Sequence, residues 1–282
     1  MKQKRILLLA SMALLMFGCK AQTSANQQAT PAAAPAAVET PAVEKMSAQQ
    51  LLESKLKKDM PYAELRKIVL ADGWLPLKTP ACKENVGGEA EICAELPELD
   101  ACSGDGSCVM WFAEGTGVLL RVNAYGDSRH WNTSGRENEF SAKSWEFSPA
   151  AAVADKVACP AQKFEDFLTL FAGDKSLQTA FTKPLIKVEE LVDDGEAGYG
   201  TRSVYVKKAD YEDFNLAYLK DGFHATFNGD TGPKPISVDI KQENAVSYFV
   251  RFVYGVSEGN SYRFRKNSDC WYLDEDPEAP SP

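Results

Sequence analysis

The residue types able to carry proton transfer or covalent catalysis are sparse in this chain, which holds only two histidines, His130 and His224. His130 falls in Arg129-His130-Trp131-Asn132, a polar stretch expected to be a solvent-facing loop between domains. His224 follows Gly222-Phe223 at the head of an expected strand and alternates with Thr226, where it can line the mouth of a curved sheet. Covalent hydrolysis needs a nucleophile, a base and a group that orients the base, and neither histidine sits in such a set. Ser54 and Lys57 form a Ser-x-x-Lys string, but Lys55 and Lys58 beside them mark a solvated helix face. Gly195-Glu196-Ala197-Gly198-Tyr199-Gly200 lacks the preceding strand that a phosphate cradle requires. Asp193-Asp194 and Asp274-Glu275-Asp276 lack the alternating ligands of a calcium loop, and the second run reads as an acidic, solvated tail. No catalytic residue, metal site or cofactor is expected.

Cysteine is the other reactive type, and there are seven. Cys82, Cys93, Cys102, Cys108, Cys159 and Cys270 form an even set, which in an exported chain reads as disulfides with 15 formal connectivities. The expected pairs are Cys82–Cys93, Cys102–Cys108 and Cys159–Cys270. Gly87-Gly88 and Gly104 with Gly106 let the first two loops turn tightly, and the third bridge clips the start of the last domain to its end. The spacings fit no zinc pattern. The seventh cysteine, Cys19, belongs to the start of the chain. Lys2, Lys4 and Arg5 precede the apolar run Ile6 to Phe17, closed by Gly18-Cys19. That order describes a secretory signal, and the run is shorter than the roughly 20 apolar residues a membrane span needs.

The string Met16-Phe17-Gly18-Cys19 resembles the lipobox of bacterial lipoproteins, with Met16 and Phe17 standing where Leu and a small residue are commoner. The resemblance implies cleavage before Cys19, lipid on its thiol and attachment to the cell envelope. Lys20, where an Asp would imply the inner membrane, implies the outer membrane, with the protein facing the periplasm. Residues 19–46 are mostly Ala, Gln, Thr and Pro without apolar periodicity and read as a disordered tether. Loss of residues 1–18 would remove three basic and no acidic residues, taking the net charge from −9 to −12. So acidic a chain is not expected to hold nucleic acid, and its field favours cationic partners.

Beyond the tether the pattern predicts an α+β protein of two small domains, residues 47–150 and 159–276, with a tail over 277–282. In the first, helices are expected over Ser47 to Lys58 and Pro61 to Ala71, the latter burying Tyr62, Leu65, Ile68 and Val69 and ending at Gly73. A hairpin follows, Cys108 to Phe112 and Val118 to Tyr125, giving helices plus a short antiparallel sheet. In the second, Pro160 opens a helix with Phe164, Phe167, Leu168 and Phe171 on one face. Asp174 caps a short helix that Lys183-Pro184-Leu185 ends. Strands are expected at Ser203 to Lys207, Ala225 to Asn228 and Ile236 to Lys241. A long hairpin of Ala245 to Val256 and Ser261 to Leu273 closes the chain. These strands would form a curved antiparallel sheet wrapped on the helices.

Phe164-Glu165-Asp166-Phe167-Leu168, Phe171-Ala172-Gly173-Asp174, Leu177-Gln178, Lys183-Pro184-Leu185 and the terminal Cys270-Trp271-Tyr272-Leu273 together resemble a bacterial lipoprotein domain family of unknown function. That family is associated with the cystatin-like, nuclear-transport-factor-like (SnoaL-like) superfamily. The stretch from Asp72-Gly73-Trp74 to Pro97-Glu98, with Cys102-Ser103-Gly104-Asp105-Gly106, is similar to small exported bacterial domains of unknown role. The first resemblance implies a cone with a pocket. Its candidate lining is His224, Arg251 and Arg263, with Tyr248 and Tyr254 on one hairpin face opposite Phe249, Arg251 and Val253. An enzyme of such a fold would need a buried Asp or Glu beside a Tyr or His, for which Asp239 and Glu243 stand nearby in sequence. The expected function is a non-catalytic envelope lipoprotein that binds a protein partner or a small apolar ligand. The alternatives are a small-molecule enzyme with His224 as acid–base, and an inhibitor or immunity-type protein for a cationic partner.

Overall fold

The architecture was read from a computed structural model that describes residues 47–87, 90–150, 157–193, 198–254 and 258–278. The expected signal, Cys19 and tether lie outside the described residues, as do Asp194 to Ala197 and residues 279–282. Ser47 opens helix α1, Ala48–Glu53. Its hydroxyl accepts the Gln50 amide while the Gln50 side chain accepts the Ser47 amide, a reciprocal cap. The helix stops five residues short of Lys58. Helix α2, Tyr62–Ala71, follows Pro61 and buries Tyr62, Leu65 and Val69. The chain turns out of it at Gly73, whose φ of +85° suits a residue without a Cβ.

Strand β1, Leu75–Lys78, leads into the short helices α3, Cys82–Asn85, and α4, Ile92–Glu95, joined by the Cys82–Cys93 bridge. Strands β2, Leu99–Cys102, β3, Ser107–Ala113, β4, Val118–Gly126, and β5, Phe140–Pro149, form an antiparallel run in the order β2-β3-β4-β5. Cys102 and Cys108 face each other across β2 and β3 and are bridged there. The sequence reading named no element for β5. Phe140 and Ala142 bury completely in the first core, and β4 pairs along its length.

Helix α5, Phe164–Gly173, starts four residues later than Pro160, and α6, Lys175–Ala180, is capped by Asp174, whose carboxylate accepts the Ser176 amide at 2.7 Å. Where Lys183-Pro184-Leu185 was expected only to end a helix, the chain runs straight into β6, Thr182–Asp193. Proline is tolerated because it falls in an irregularity between the Thr182 and Lys187 pairings, where no ladder donor is needed. Then come β7, Tyr199–Lys207, β8, Leu216–Leu219, β9, Gly222–Phe227, β10, Asp230–Thr231, β11, Val238–Asn244, β12, Ser247–Tyr254, β13, Glu258–Asn267, and β14, Cys270–Asp276. The single strand expected over Ser261 to Leu273 is thus two, reversing at Ser268 with a φ of 54°.

The large sheet runs β11-β12-β13-β14-β6-β7-β1-β3-β4-β5, and β8 to β10 form a small second sheet. It is a mixed sheet, which corrects the antiparallel expectation: β14 pairs with β6, and β1 with β7, in parallel. Parallel neighbours need long crossovers, and nearly the whole second half separates β6 from β14. The two halves of the ladder meet on β1 alone, where Leu75 and Pro76 pair with β3 while Leu77 and Lys78 pair with β7.

Apolar burial follows the halves. One cluster packs α1, α2 and Trp74 against Met110, Phe112, Leu120, Val122 and Phe140. Another packs Phe164, Phe167, Leu168 and Phe171 of α5 against Val250, Phe252, Tyr262, Phe264 and Leu273. Each fully buried large apolar side chain contributes about 1.5–3 kcal/mol of transfer free energy, so the four residues of the α5 face together supply roughly 6–12 kcal/mol of the second core. A small third cluster, Leu77, Ala113 and Leu185, joins the halves on the sheet face turned away from α5. Cys159–Cys270 closes the second half across 111 residues. The three bridges are those expected from the spacing.

Candidate functional site

Strand alternation sets up a charged face. Along β6, Lys183, Leu185, Lys187 and Glu189 fall on one side of the sheet and Ile186 on the other. The ladder then places Phe249, Arg263, Glu275, Lys187 and Tyr205 in one row across β12, β13, β14, β6 and β7. Phe264 and Leu273 point the opposite way, into the core under α5. Glu275, Lys187 and Tyr205 of this outer row floor a cleft of about 740 Å³. The turn Glu114 to Gly117 between β3 and β4, with Pro149 and Ala150 at the end of β5, forms its other wall. A neighbouring cleft of about 380 Å³ shares Lys187 and Glu275 with it and is bordered by Arg263 and Asp276.

Ion pairs bind the floor together. Lys183 pairs with Asp274, Arg265 reaches Asp274 at 2.5 Å and Glu275 at 2.8 Å, and Arg263 joins Glu275 to Glu243. Asp274 and Asp276 are buried and Glu275 half-buried, so this run is part of a central strand and not the solvated tail its composition suggested. Tyr205 stands in the same row, and a Cβ on Gly115 would lie 3.4 Å from its hydroxyl, so the turn packs directly against the phenol. Burial pushes the Tyr205 phenol up to about 12, helped by the carboxylates of Asp274, Glu275 and Glu114.

The residues expected to line a cone do not converge on one cavity. Tyr248 stacks on Phe164 at 4.1 Å between centroids inside the second core. Tyr254 packs on Phe227 and Phe252. Arg251 is exposed on the opposite face, 3.3 Å from Glu278. Arg263 is on that outer face too, over the Phe249 ring. His224 is buried on β9 with both ring nitrogens engaged, Nδ1 with the Gly232 carbonyl at 2.8 Å and Nε2 with Asp221 at 2.9 Å. The carbonyl bond, then the Asp221 carboxylate, raise its pKa. An imidazole held by two acceptors ties a hairpin to the next turn and has no nitrogen left for a substrate. His130 is half-buried and not solvent-facing, with Asp127, Glu139 and Arg136 around its ring. Asp239 is exposed, and Glu243 is taken up by Arg263 and Ser247.

A buried carboxylate beside a tyrosine does exist, formed by Asp276, whose run reads as a solvated tail in the sequence, and Tyr211, which carries no sequence signal. Tyr211 donates to Asp276 at 3.0 Å, and burial raises that carboxyl to about 7. The missed signal for the cleft was the period-two run Lys183-x-Leu185-x-Lys187-x-Glu189, an alternation typical of a strand with one solvated face. Among the described residues no group of three His, Cys, Asp or Glu is placed to hold a metal ion, and no helix is long and apolar enough to cross a membrane.

No family model matches the chain, and no curated protein matches it. Among solved structures, it is similar to a crystal structure of an NTF2-like protein from Bacteroides fragilis NCTC 9343, at 11% identity and a TM-score of 0.29. The likeness covers 59% of this chain and spans 60% of that protein's length.

Proposed function

We propose that this chain is a non-catalytic binding module of the bacterial envelope, exported, lipid-anchored at Cys19 on the periplasmic side of the outer membrane and held off it by residues 19–46. Residues 47–150 and 159–276 act as two α+β units, the second a cystatin-like, nuclear-transport-factor-like cone. The separate apolar clusters of the two halves and the motifs around α5 support that division. The observation that carries the binding reading is the 740 Å³ cleft, whose size lies within the range of small-molecule sites. Its buried carboxylates Asp274 and Glu275 are tied to Lys183, Arg263 and Arg265, and the lining presents no nucleophile–base pair, which favours holding a ligand over transforming it. Native mass spectrometry of the full chain, made in an oxidising compartment and kept in mild detergent, tests this. A bound mass lost on denaturation supports the module, and turnover of ester, lactam or peptide substrates by the same sample would overturn it.

The second reading, a small-molecule enzyme, rests on Asp276 and Tyr211 in place of His224. A carboxyl near pH 7 beside a phenol at the rim of the smaller cleft is a usable general base. It requires that Asp276→Asn abolish any activity found.

A further inference from the structure

We propose that the larger cleft binds small organic monoanions, the carboxylate held by Lys183, Lys187 and Arg265 and an apolar body lying over Leu185, Pro184 and Tyr205. The assignment rests on the binding-module reading and names its ligand class. It follows from how charge is layered in the cleft. Asp274 and Glu275 are the buried members of the network, with side chains 12% and 14% exposed. Their cationic partners stand above them: Lys183 at 28% and Arg265 at 48%, with Lys187 nearby at 36%. The carboxylates therefore act as fixed counterions that hold long basic side chains in place, and the groups left nearest the solvent are donors. Such preorganisation lowers the entropy of ordering that a free lysine or arginine would lose on binding.

Two donors remain uncommitted. Arg265 spends Nε on Asp274 and Nη2 on Glu275, leaving Nη1 without a partner among the described residues. The Tyr205 hydroxyl has no hydrogen-bond partner among them either, and with its pKa up near 12 it remains a donor at neutral pH. A donor-rich wall in a protein of net charge −9 is a local reversal of the global field. The same wall carries Glu114, Asp274 and Glu275 against Lys183, Lys187, Arg265 and Lys266, so its cationic excess is a single charge. That thin excess fits one negative charge and disfavours a dianion such as a phosphate monoester. Leu185, Pro184, Pro149 and the Tyr205 ring supply the apolar surface beside it.

The test is titration of the full chain with 2-naphthoate, its uncharged isostere 2-naphthamide, and inorganic phosphate. Naphthoate should bind, with naphthamide and phosphate weaker by roughly tenfold or more. Lys187→Met and Tyr205→Phe should each weaken naphthoate by roughly threefold or more and leave naphthamide unchanged. Both keep Asp274 and Glu275 paired with Lys183 and Arg265, and Lys187→Met gives up only a 3.7 Å pair with Glu189, so unchanged urea midpoints are expected and a loss then reads on binding. Equal binding of acid and amide overturns the anion assignment while leaving a binding module in place. Failure to bind naphthoate, or unchanged affinity when Lys187→Met and Tyr205→Phe are combined, overturns it as well. The module itself falls only if the native mass spectrum also shows no bound species.

Discussion

The hydroxyl of Tyr211 donates to Oδ2 of Asp276 across 3.0 Å, in a pocket shared with Asn260, Tyr262 and the backbone carbonyl of Asp213. Burial is the main reason the Asp276 carboxyl sits at about 7, with the charges of Asp213 and Glu278 adding to it against the Tyr211 and Asn260 hydrogen bonds. Because the folded value lies above the ordinary carboxyl value of 3.8, the folded state prefers the protonated group. Its contribution to stability is complete below about pH 4 and is lost as pH rises through 7. Asp276→Asn, which keeps the shape without the charge, should stabilise the protein above pH 8 by on the order of a few kcal/mol and change little at pH 4. Urea midpoints of both proteins across that range check this, and an equal difference at both ends would refute it.

His224 carries the matching prediction on the basic side. Its pKa is raised by the Gly232 carbonyl and by Asp221, so the stability it gives is full below 6.5 and fades as pH passes the folded value. With only two histidines in the chain, imidazole resonances are simple to assign. NMR titration should place His224 above 6.5, and Asp221→Asn should move it down towards that value. A wild-type His224 titrating below 6.5 would contradict the geometry.

In the first core, Glu98 is wholly buried, accepting from Tyr62 at 2.8 Å and from Arg66 Nε at 2.5 Å. Glu98→Ala leaves the Arg66 cation and the Tyr62 hydroxyl without their partner and should cost about 3–5 kcal/mol. Replacing the pair together, Arg66→Met with Glu98→Leu, should recover most of that loss, since apolar substitutes for a buried ion pair are often neutral or better. Chemical denaturation of the single and double variants decides it. A double variant no more stable than Glu98→Ala would show that the polar network has a role beyond its own pairing.

The bridges should not be equal. Cys159–Cys270 spans 111 residues and Cys102–Cys108 only six. Loop-closure entropy then predicts losses of about 5 and about 2 kcal/mol when each pair is changed to serine. Thermal unfolding of the two variants would reverse this ranking if the Cys102–Cys108 turn, set directly across β2 and β3, mattered more to folding than chain entropy allows.

What the sequence disclosed, it disclosed through local rules. The Phe164, Phe167, Leu168, Phe171 face, the Asp174 cap and the Cys82–Cys93 and Cys102–Cys108 pairs each depend on neighbours in the chain or on simple loop geometry, and each is present; Cys159–Cys270 then follows as the pair left over. The losses came where a distant partner decides. Pro184 reads as a stop, yet it lies in β6 because β14, nearly ninety residues away, skips it in register. Asp274-Glu275-Asp276 reads as solvated until Lys183, Arg265 and Tyr211 are brought around it. Arg251 and Arg263 look equivalent on a hairpin, but only Arg263 meets the carboxylates that β14 and β11 supply. The cleft itself is built from residues 114–117 and 149–150 on one side and 183–187 and 265–275 on the other, a juxtaposition no local pattern contains.

Strand β1 gives the two halves a common border only four residues long, with two of them pairing each way. A border shared in this way protects both sides at once. If the halves were produced as separate chains, β1 in one and β7 in the other would each lose their partner and present open backbone amides and carbonyls. Bare edges of that kind recruit other strands. The isolated halves should therefore self-associate, and mixing them should suppress that association by restoring the missing neighbour. Four residues of strand would then serve as a guard against aggregation, a task quite separate from anything the cleft holds.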